Sequence, residues 1–390
     1  MTTHNEADFQ NPPINWTPAI VLLSTPLLAL ILVPWYLWTH DISPALWIAF
    51  SLFMAWTGLS ITAGYHRLWA HKSYEAHPFV QYFLLLGATL AVQSSAFDWC
   101  SGHRSHHRHV DDEYEDPYSA RRGFWFSHMD WMLRKYPSGQ YDYKNIPDLK
   151  KDKLLTLQHK YYGLWVVLTN VIIVGAVGLA IGDVLGAFLI IGLLRMVLTH
   201  HFTFFINSLC HIFGSRPYTD ENTARDNGIL AIFTWGEGYH NYHHYFQYDY
   251  RNGVKWWQYD PTKWLIMALS KVGLASSLKR VDDLTIKHAE VTMQFKRAEA
   301  RIAKGEQTLD DKIAAFKEHI SAEYDAFTKT VEEWHALKAK AIELKRTEFA
   351  ERLHEADEKM KEQFAQVESK ILAHSAQVEM AFNRLKGKTA

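Results

Sequence analysis

Histidine is concentrated in four short segments of this chain, and imidazole is a common ligand of transition metals. The 390-residue sequence contains 22 histidines, and the segments are HRLWAH at 66–71, HRSHH at 103–107, NSLCH at 207–211 and HNYHH at 240–244. In HRSHH and HNYHH the histidines stand at i, i+3 and i+4, which places three rings on one face of a helix. The motifs therefore predict metal-binding histidines.

The number of imidazoles indicates two metal ions. The motifs contain nine histidines: His66, His71, His103, His106, His107, His211, His240, His243 and His244. A single six-coordinate ion cannot hold nine ligands. On an ideal α-helix His66 and His71 would point about 140° apart, so we expect a helix end or a distortion between them. We interpret the other histidines as ordinary surface or core residues, among them His4, His40, His77, His109, His128, His159, His200, His201 and His288.

Carboxylates close to the motifs could orient the imidazoles through their second ring nitrogen. Glu237, inside GEGYHNYHH, is the best candidate for this role. We interpret the remaining acidic residues near the motifs as solvated loop charges: Asp111, Asp112, Glu113, Glu115 and Asp116.

Ligand type alone does not identify the metal, because neutral imidazole suits Fe, Cu, Zn and Ni. A structural zinc site needs four ligands and usually includes cysteine, and Cys100 and Cys210 form no CxxC pair. A hydrolytic site would not explain why every motif follows an apolar segment. A pair of iron ions that activates O2 for an unreactive, membrane-dissolved substrate fits this context better.

The apolar segments predict four membrane-spanning helices that position the motifs. Residues 18–38, 44–64, 163–181 and 184–206 each reach the roughly 20 apolar residues needed to cross a bilayer. Residues 79–97 are apolar but shorter and more polar, so they could cross or lie in the interface. Arg195, inside the fourth span, should either face a polar partner in the protein or reach the interface.

Charge places the motifs on the cytoplasmic side of the membrane. The turns within each pair of spans have no Lys or Arg, whereas the regions at 67–160 and after 216 are rich in both. We therefore predict an all-α, polytopic protein with a cytoplasmic helical cap that carries the metals. Its parts are a cytoplasmic segment at 1–17, a membrane domain at 18–281 and a cytoplasmic extension at 282–390. A net charge of −1 gives no indication of nucleic-acid binding.

The extension at 282–390 has the pattern of long amphipathic helices. It contains no proline or cysteine, and its apolar residues recur at steps of three and four: Leu309, Ile313, Phe316, Ile320, Tyr324, Phe327, Val331 and Trp334. We expect a coiled-coil-like pairing, of the helices with each other or with another subunit. A structural or partner-binding role is the default, and a dock for an electron donor is the alternative.

The segments HRLWAH, HRSHHR, NSLCHIFGSRPY and GEGYHNYHH, in this order, resemble the stearoyl-CoA Δ9-desaturase family of membrane acyl-CoA desaturases, over about residues 45–260. RRGFWFSH at 121–128 strengthens the resemblance. It implies an O2-dependent enzyme that introduces a cis double bond into a saturated long-chain acyl-CoA. It further implies that the nine histidines bind two Fe2+ ions and that Asn207 reaches one iron through water.

The resemblance also implies a kinked tunnel for the acyl chain. Gln93, Trp99 and Thr203 match positions around the kink, and Met54 and Gly58 match positions near the closed end.

The CoA headgroup site is implied by a basic pair. Arg134 and Lys135 match the residues that bind the CoA phosphates. The chain departs from animal members nearby, with Ser101 and Gly102 where those have Arg and Asp.

Electrons must come from another protein, because the sequence has no CxxC, haem signature or dinucleotide fingerprint. We expect a donor of the ferredoxin, rubredoxin or cytochrome b5 type, at the bacterial inner membrane or the endoplasmic reticulum. Two alternatives stay open: a membrane di-iron hydroxylase of alkanes or lipids, and a non-enzymatic, membrane-bound metal-binding scaffold.

Overall fold

The computed structural model describes residues 9–141, 143–305 and 311–346, and separate positions between 362 and 384. The described residues up to Arg216 and those of Glu221–Arg280 belong to one compact unit, and Pro217–Asp220 and the described residues from Val281 onward belong to a second.

The first unit is built of helices with one very short sheet. Its helices are α1 (Trp16–Thr39), α2 (Pro44–Ala70), α3 (Pro78–Leu90), α4 (Ala96–His109), α5 (Lys153–Lys160), α6 (Tyr162–Ile181), α7 (Val184–Ile212), α8 (Gly228–Phe233), α9 (His240–Tyr245) and α10 (Pro261–Lys271). Single turns lie at Ala120–Arg122, Pro137–Gly139 and Leu149–Lys151, and one continuous helical stretch over residues 124–133 includes Phe126–Asp130 and Trp131–Leu133. The strands β1 (Glu75–Ala76) and β2 (Ala275–Ser276) pair antiparallel.

Four helices, α1, α2, α6 and α7, are long and apolar enough to cross a membrane. Their outer faces leave large apolar side chains uncovered by protein, such as Leu30 and Leu179 at 74% exposure each and Trp38 at 90%. Hydrocarbon rather than water suits these faces. The predicted all-α, polytopic fold is thus confirmed, and the chain is a multi-pass membrane protein.

Two of the spanning helices continue beyond the apolar segments that predicted them. α2 runs to Ala70 and α7 to Ile212, each six residues past the predicted end at 64 or 206. The apolar residues end where the histidine motifs begin, but the backbone hydrogen bonds of the helix continue through the motifs. His66 and His211 therefore lie on rigid helices.

The apolar segment after α2 does not cross the bilayer. It forms α3, whose 13 residues extend only about 20 Å at 1.5 Å per residue, short of the roughly 30 Å of hydrocarbon. α3 instead packs against α2, where Leu84, Leu85 and Ala88 enter the buried core.

Arg195 faces the interior of the protein. Its side chain is completely buried, and it donates hydrogen bonds to Asn170 Oδ1 (2.8 Å), Leu90 O (2.9 Å) and Ile191 O (2.7 Å). These bonds join α6, α3 and α7, so the arginine ties three helices together at membrane depth.

The second unit contains two long helices, as predicted: α11 (Asp283–Gly305) and α12 (Asp311–Arg346). They run antiparallel and bury Val291, Phe327 and Val331, with Tyr324 and Trp334 packed against them. The helices therefore pair with each other. The predicted repeat position Leu309, and the side chains of Ile313, Phe316 and Ile320, lie outside the described residues.

We predict that Arg195→Ala lowers the free energy of unfolding by about 2–4 kcal/mol, because it leaves buried acceptors without donors. Thermal unfolding in detergent, followed by fluorescence-detected gel filtration, measures the effect. Leu179→Ala on the outer face of α6 is the matched control. A loss no greater than that of the control would contradict the interior role of Arg195.

Candidate metal centre

The nine motif histidines come together in two groups, although four different helices carry eight of them and His71 directly follows α2. His66, His71, His103, His107 and His243 form the first group, and His106, His211, His240 and His244 form the second. Within each group, one nitrogen per ring lies within 4.8 Å of all the others. α2, α4, α7 and α9 each supply part of the centre.

A π-helical segment at Ser60–Ala70 brings His66 and His71 together. The backbone N–H of His71 donates to the carbonyl of His66, five residues earlier, at 3.0 Å. This wider turn replaces the α-helical geometry that would separate the rings, and their centroids lie 4.7 Å apart. It is the distortion that the spacing requires, and π-turns are frequent at functional sites.

The Nε2 atoms of the rings point inward and crowd one another. In the first group His66–His243, His71–His103 and His107–His243 approach at 3.0, 2.7 and 2.9 Å.

In the second group the Nε2 atoms of His106–His244, His211–His240 and His240–His244 approach at 3.3, 3.1 and 3.0 Å. A metal–nitrogen bond of about 2.1 Å places adjacent ligand nitrogens about 3 Å apart. The separations in both groups thus suit ligands around an ion.

The outer nitrogens of several rings face oxygen atoms. His66 Nδ1 lies 2.8 Å from Glu237 Oε2, and His106 Nδ1 lies 2.8 Å from Asp116 Oδ1. These acceptors hold the ring proton on Nδ1 and leave the Nε2 lone pair free for a metal.

His211 is held through a hydroxyl. Its Nδ1 lies 2.8 Å from Thr223 Oγ1, which donates in turn to Asp111 Oδ1 at 2.5 Å. A threonine that donates to a carboxylate must accept from the imidazole. The proton of His211 therefore also sits on Nδ1.

The interpretation of Asp111 and Asp116 as solvated loop charges is wrong. Their exposure is 7% and 1%, and both support histidines of the second group. Asp112, by contrast, is exposed, and its Oδ1 accepts from the backbone N–H groups of Tyr114 and Glu115. The loop after α4 folds back over the centre and buries two of its carboxylates.

Glu237 belongs to a buried charge network behind His66. Arg67, only 1% exposed, donates to Glu237 Oε1 and to Asp260 Oδ1, each at 3.0 Å. Burial alone would raise the pKa of Glu237, but His66 and Arg67 outweigh it and hold that pKa below its usual range. Asn252 adds a hydrogen bond to Glu237 Oε2 at 2.6 Å.

Burial favours the neutral form of six of the imidazoles. It lowers the pKa of the rings outside the spans, and neighbouring histidines lower it further, for His71, His103, His107, His240, His243 and His244. Metals bind the neutral form. The Nε2 atoms lie 2.7–3.3 Å apart, and their inward lone pairs repel one another. A cation between the rings would remove this repulsion, so a metal ion fits each group.

A cavity of about 610 Å³ runs beside the centre. Four of the motif histidines line it, namely His66, His103, His106 and His240. Every residue that the resemblance assigned to the substrate lines it as well: Met54, Gly58, Gln93, Trp99, Arg134, Lys135 and Thr203. A volume of this size suits a small-molecule ligand.

The predicted kink residues contact one another or the histidines. Gln93 Nε2 donates to Thr203 Oγ1 at 3.0 Å, which joins the turn after α3 to α7. The Trp99 ring stacks on His103 with centroids 4.9 Å apart. Asn207 lies one helical turn before His211 and also lines the cavity.

The predicted basic pair lies beside the N-terminal segment. Lys135 N–H donates to Pro13 O at 2.9 Å, and Arg134 Nη1 donates to Pro12 O at 3.3 Å. The Arg122 guanidinium lies 4.5 Å from the ring centroid of Phe9, and this cation–π contact holds the N-terminal segment against the rest of the first unit. No sequence signal pointed to the segment, because it carries none of the motifs.

Several histidines interpreted as ordinary make local hydrogen bonds. His128 Nε2 lies 3.1 Å from His201 Nδ1, and His200 Nε2 lies 2.7 Å from Ala91 O. His159 Nδ1 lies 2.7 Å from Ser95 Oγ. These four rings stand apart from both groups.

Comparison with known proteins places the centre in a family context. A family model described as "Fatty acid desaturase" matches residues 42–275, a range that includes all nine motif histidines and ends before the second unit's long helices.

Curated relatives agree with this match. Acyl-CoA desaturase 1 of Saccharomyces cerevisiae is 40% identical over 296 residues, which are 75% of this chain and 57% of the relative. Stearoyl-CoA desaturase 4 of Mus musculus is 36% identical over 245 residues, 62% of this chain and 69% of the relative. The sn-1 stearoyl-lipid 9-desaturase of Anabaena variabilis is 34% identical over 273 residues, 70% of this chain and 96% of the relative.

The chain spans only part of some of these relatives. It covers 57% of the Saccharomyces cerevisiae protein and 58% of a probable acyl-CoA desaturase of Schizosaccharomyces pombe.

We predict that Asp116→Asn weakens metal binding by the second group about 10–100-fold, because an amide holds the ring of His106 less firmly. Metal content per chain, measured by plasma mass spectrometry after dialysis against a weak chelator, should fall by about half. Asp112→Asn, in the same loop but exposed, is the control and should keep its metal. Full metal retention by Asp116→Asn would contradict the supporting role of Asp116.

Proposed function

We propose, because this chain belongs to the fatty acid desaturase family, that it introduces a cis double bond into a saturated long-chain acyl-CoA, at the Δ9 position, with O2 as the oxidant. The observation that carries this proposal is the shared cavity. One continuous surface brings histidines of both groups next to residues from the membrane spans and next to a basic pair.

We propose that the two groups hold two iron ions. The first group has five imidazoles, one more than the four ligands of a structural zinc site, and neither cysteine belongs to either group. Bound iron would supply O2 activation, which side chains cannot provide for an unactivated C–H bond. Asn207, on the turn before His211 and in the cavity wall, would hold a water beside the second ion.

The reaction removes two hydrogens from adjacent methylenes. For each double bond, one O2, two electrons and two protons combine with these hydrogens to give two waters. The substrate supplies two of the four electrons that reduce O2. An external donor protein, of the ferredoxin, rubredoxin or cytochrome b5 type, would supply the other two.

The chain's own contribution is to position the substrate. An acyl chain held between Trp99 and the Gln93–Thr203 pair would present one pair of methylenes to the histidine groups. Fixing a flexible chain in a near-attack geometry accounts for a large part of such catalysis. A bend at this point would favour the cis product.

The basic pair would bind the phosphates of CoA. Lys135 is exposed and Arg134 half-buried where they line the cavity, and both cations suit phosphate. The relative from Anabaena variabilis is named for a lipid substrate, so competition between acyl-CoA and acyl lipid distinguishes the two carriers.

The arrangement of charge supports a cytoplasmic metal centre and cytoplasmic termini. The paired helices of the second unit carry no residue of the metal centre among those described. We propose that this extension binds a partner, either a second copy of the chain or the electron donor.

Expression in a desaturase-deficient host tests the proposed function. We predict new cis-9 monoenoic fatty acids, located by gas chromatography and mass spectrometry, and none with His243→Ala, because that variant loses a ligand of the first group. Hydroxylated products would support the hydroxylase alternative. An unchanged profile despite bound metal and a competent donor would favour the metal-binding scaffold.

We predict that the double variant Arg134→Ala and Lys135→Ala raises KM for acyl-CoA about tenfold while kcat changes little, since these cations act on the headgroup and not on the reacting carbons. Steady-state kinetics with purified enzyme measure both constants. Lys151→Ala removes an exposed cation that does not line the cavity and is the control. An unchanged KM would place the phosphates elsewhere.

A further inference from the structure

Trp235 joins the cavity wall to the metal centre. It lies in the turn between α8 and α9 and lines the cavity. Two residues further along is Glu237, which contacts His66, and His240 of the second group follows at the start of α9. The turn that carries this indole therefore also carries Glu237 and leads into α9.

The indole packs directly on Gly58 of α2. A methyl group at Gly58 would overlap the indole nitrogen of Trp235. Met54, one turn earlier in α2, also lines this part of the cavity and contacts Thr199 Oγ1 at 3.6 Å. Because Gly58 has no side chain, the bulky indole of Trp235 fits against α2 in this wall of the cavity.

The backbone of Trp235 is strained and held in place. Its φ is 57°, in the left-handed region that a bulky side chain rarely adopts. Such strain persists only where the surrounding structure enforces it, and it is concentrated at functional sites.

Hydrogen bonds enforce this conformation. Thr262 Oγ1 donates to Trp235 O at 2.8 Å, and Thr62 Oγ1 lies 2.7 Å from Thr262 Oγ1 and 3.1 Å from Gly58 O. The two threonines tie the turn to α2 across the contact between Trp235 and Gly58. The backbone that carries the indole is thus held in place, and the ring itself packs on Gly58.

We propose that Trp235 limits the length of the acyl chain that the cavity accepts, an inference that rests on the proposed function. The basic pair, His66 of the metal centre and, two to three turns before His66 on α2, Gly58 and Met54 all line the cavity, as does Trp235. An acyl chain that is bound at its CoA headgroup and at the kink would reach this part of the cavity, beside Gly58 and Trp235, with its methyl end. The rigid indole takes up space that a longer chain would need.

Trp235→Gly tests the proposal, because glycine removes the indole and accepts the positive φ without strain. Purified wild-type and variant enzymes receive saturated acyl-CoAs of fourteen to twenty carbons, and the monoene formed from each is measured. We expect the ratio of kcat/KM for the longest to the shortest substrate to rise about tenfold or more, as expected for a change of a few methylenes in an apolar pocket. Trp257→Ala, an exposed tryptophan at 62%, is the control and should keep the wild-type ratio.

The outcomes separate this inference from the proposed function. If the wild type forms no monoene from any substrate, the proposed function fails. If the wild type is active and Trp235→Gly keeps the wild-type ratio, the length-limiting role of Trp235 is wrong. Should Trp235→Gly not accumulate as folded protein, Trp235→Phe, which keeps a smaller ring, must shift the ratio in the same direction.

A coupling experiment tests the contact itself without activity. Gly58→Ala alone should lower the melting temperature, because its methyl group meets the indole, whereas the same change in the Trp235→Gly background should cost much less. Additive losses in the double variant would overturn the assigned contact between Gly58 and Trp235.

Discussion

Nine imidazoles with inward lone pairs repel one another unless a cation lies between them. The helices and the buried partners of the rings nevertheless hold them in that arrangement. Nitrogens 2.7–3.3 Å apart would separate if the rings stood on mobile loops. They stand instead on α4, α7 and α9 and at the end of α2, and burial makes the charged form costly for His71, His103, His107, His240, His243 and His244. The lone pairs are therefore kept available for metal.

The helices and loops around the rings align them and fix the positions of their protons. A π-turn aligns His66 with His71, and buried oxygen atoms hold protons on the outer nitrogens of His66, His106 and His211. The charges that orient the rings must themselves be balanced, and Arg67 does this for Glu237. Because α2 and α7 are also walls of the membrane domain, the centre and the cavity beside it share a rigid frame.

The histidine motifs, the spans and the need for a distortion after His66 could all be predicted, since each depends on residue type and local spacing. The carboxylate partners could not. Asp116 lies ten residues after His106 in a loop that returns to the helix, and Thr223 reaches His211 from a segment without any motif. Such partners depend on how loops close in three dimensions. Trp235 was missed for a related reason, because its importance depends on Gly58, which is distant in sequence.

The most direct test of this account is the metal content and coordination of the full chain, purified from iron-supplied cells and examined by plasma mass spectrometry and X-ray absorption spectroscopy. We expect two irons per chain, each surrounded mainly by nitrogen ligands at coordination numbers above four. A single metal per chain, or four-coordinate zinc in both groups after growth with ample iron, would contradict it.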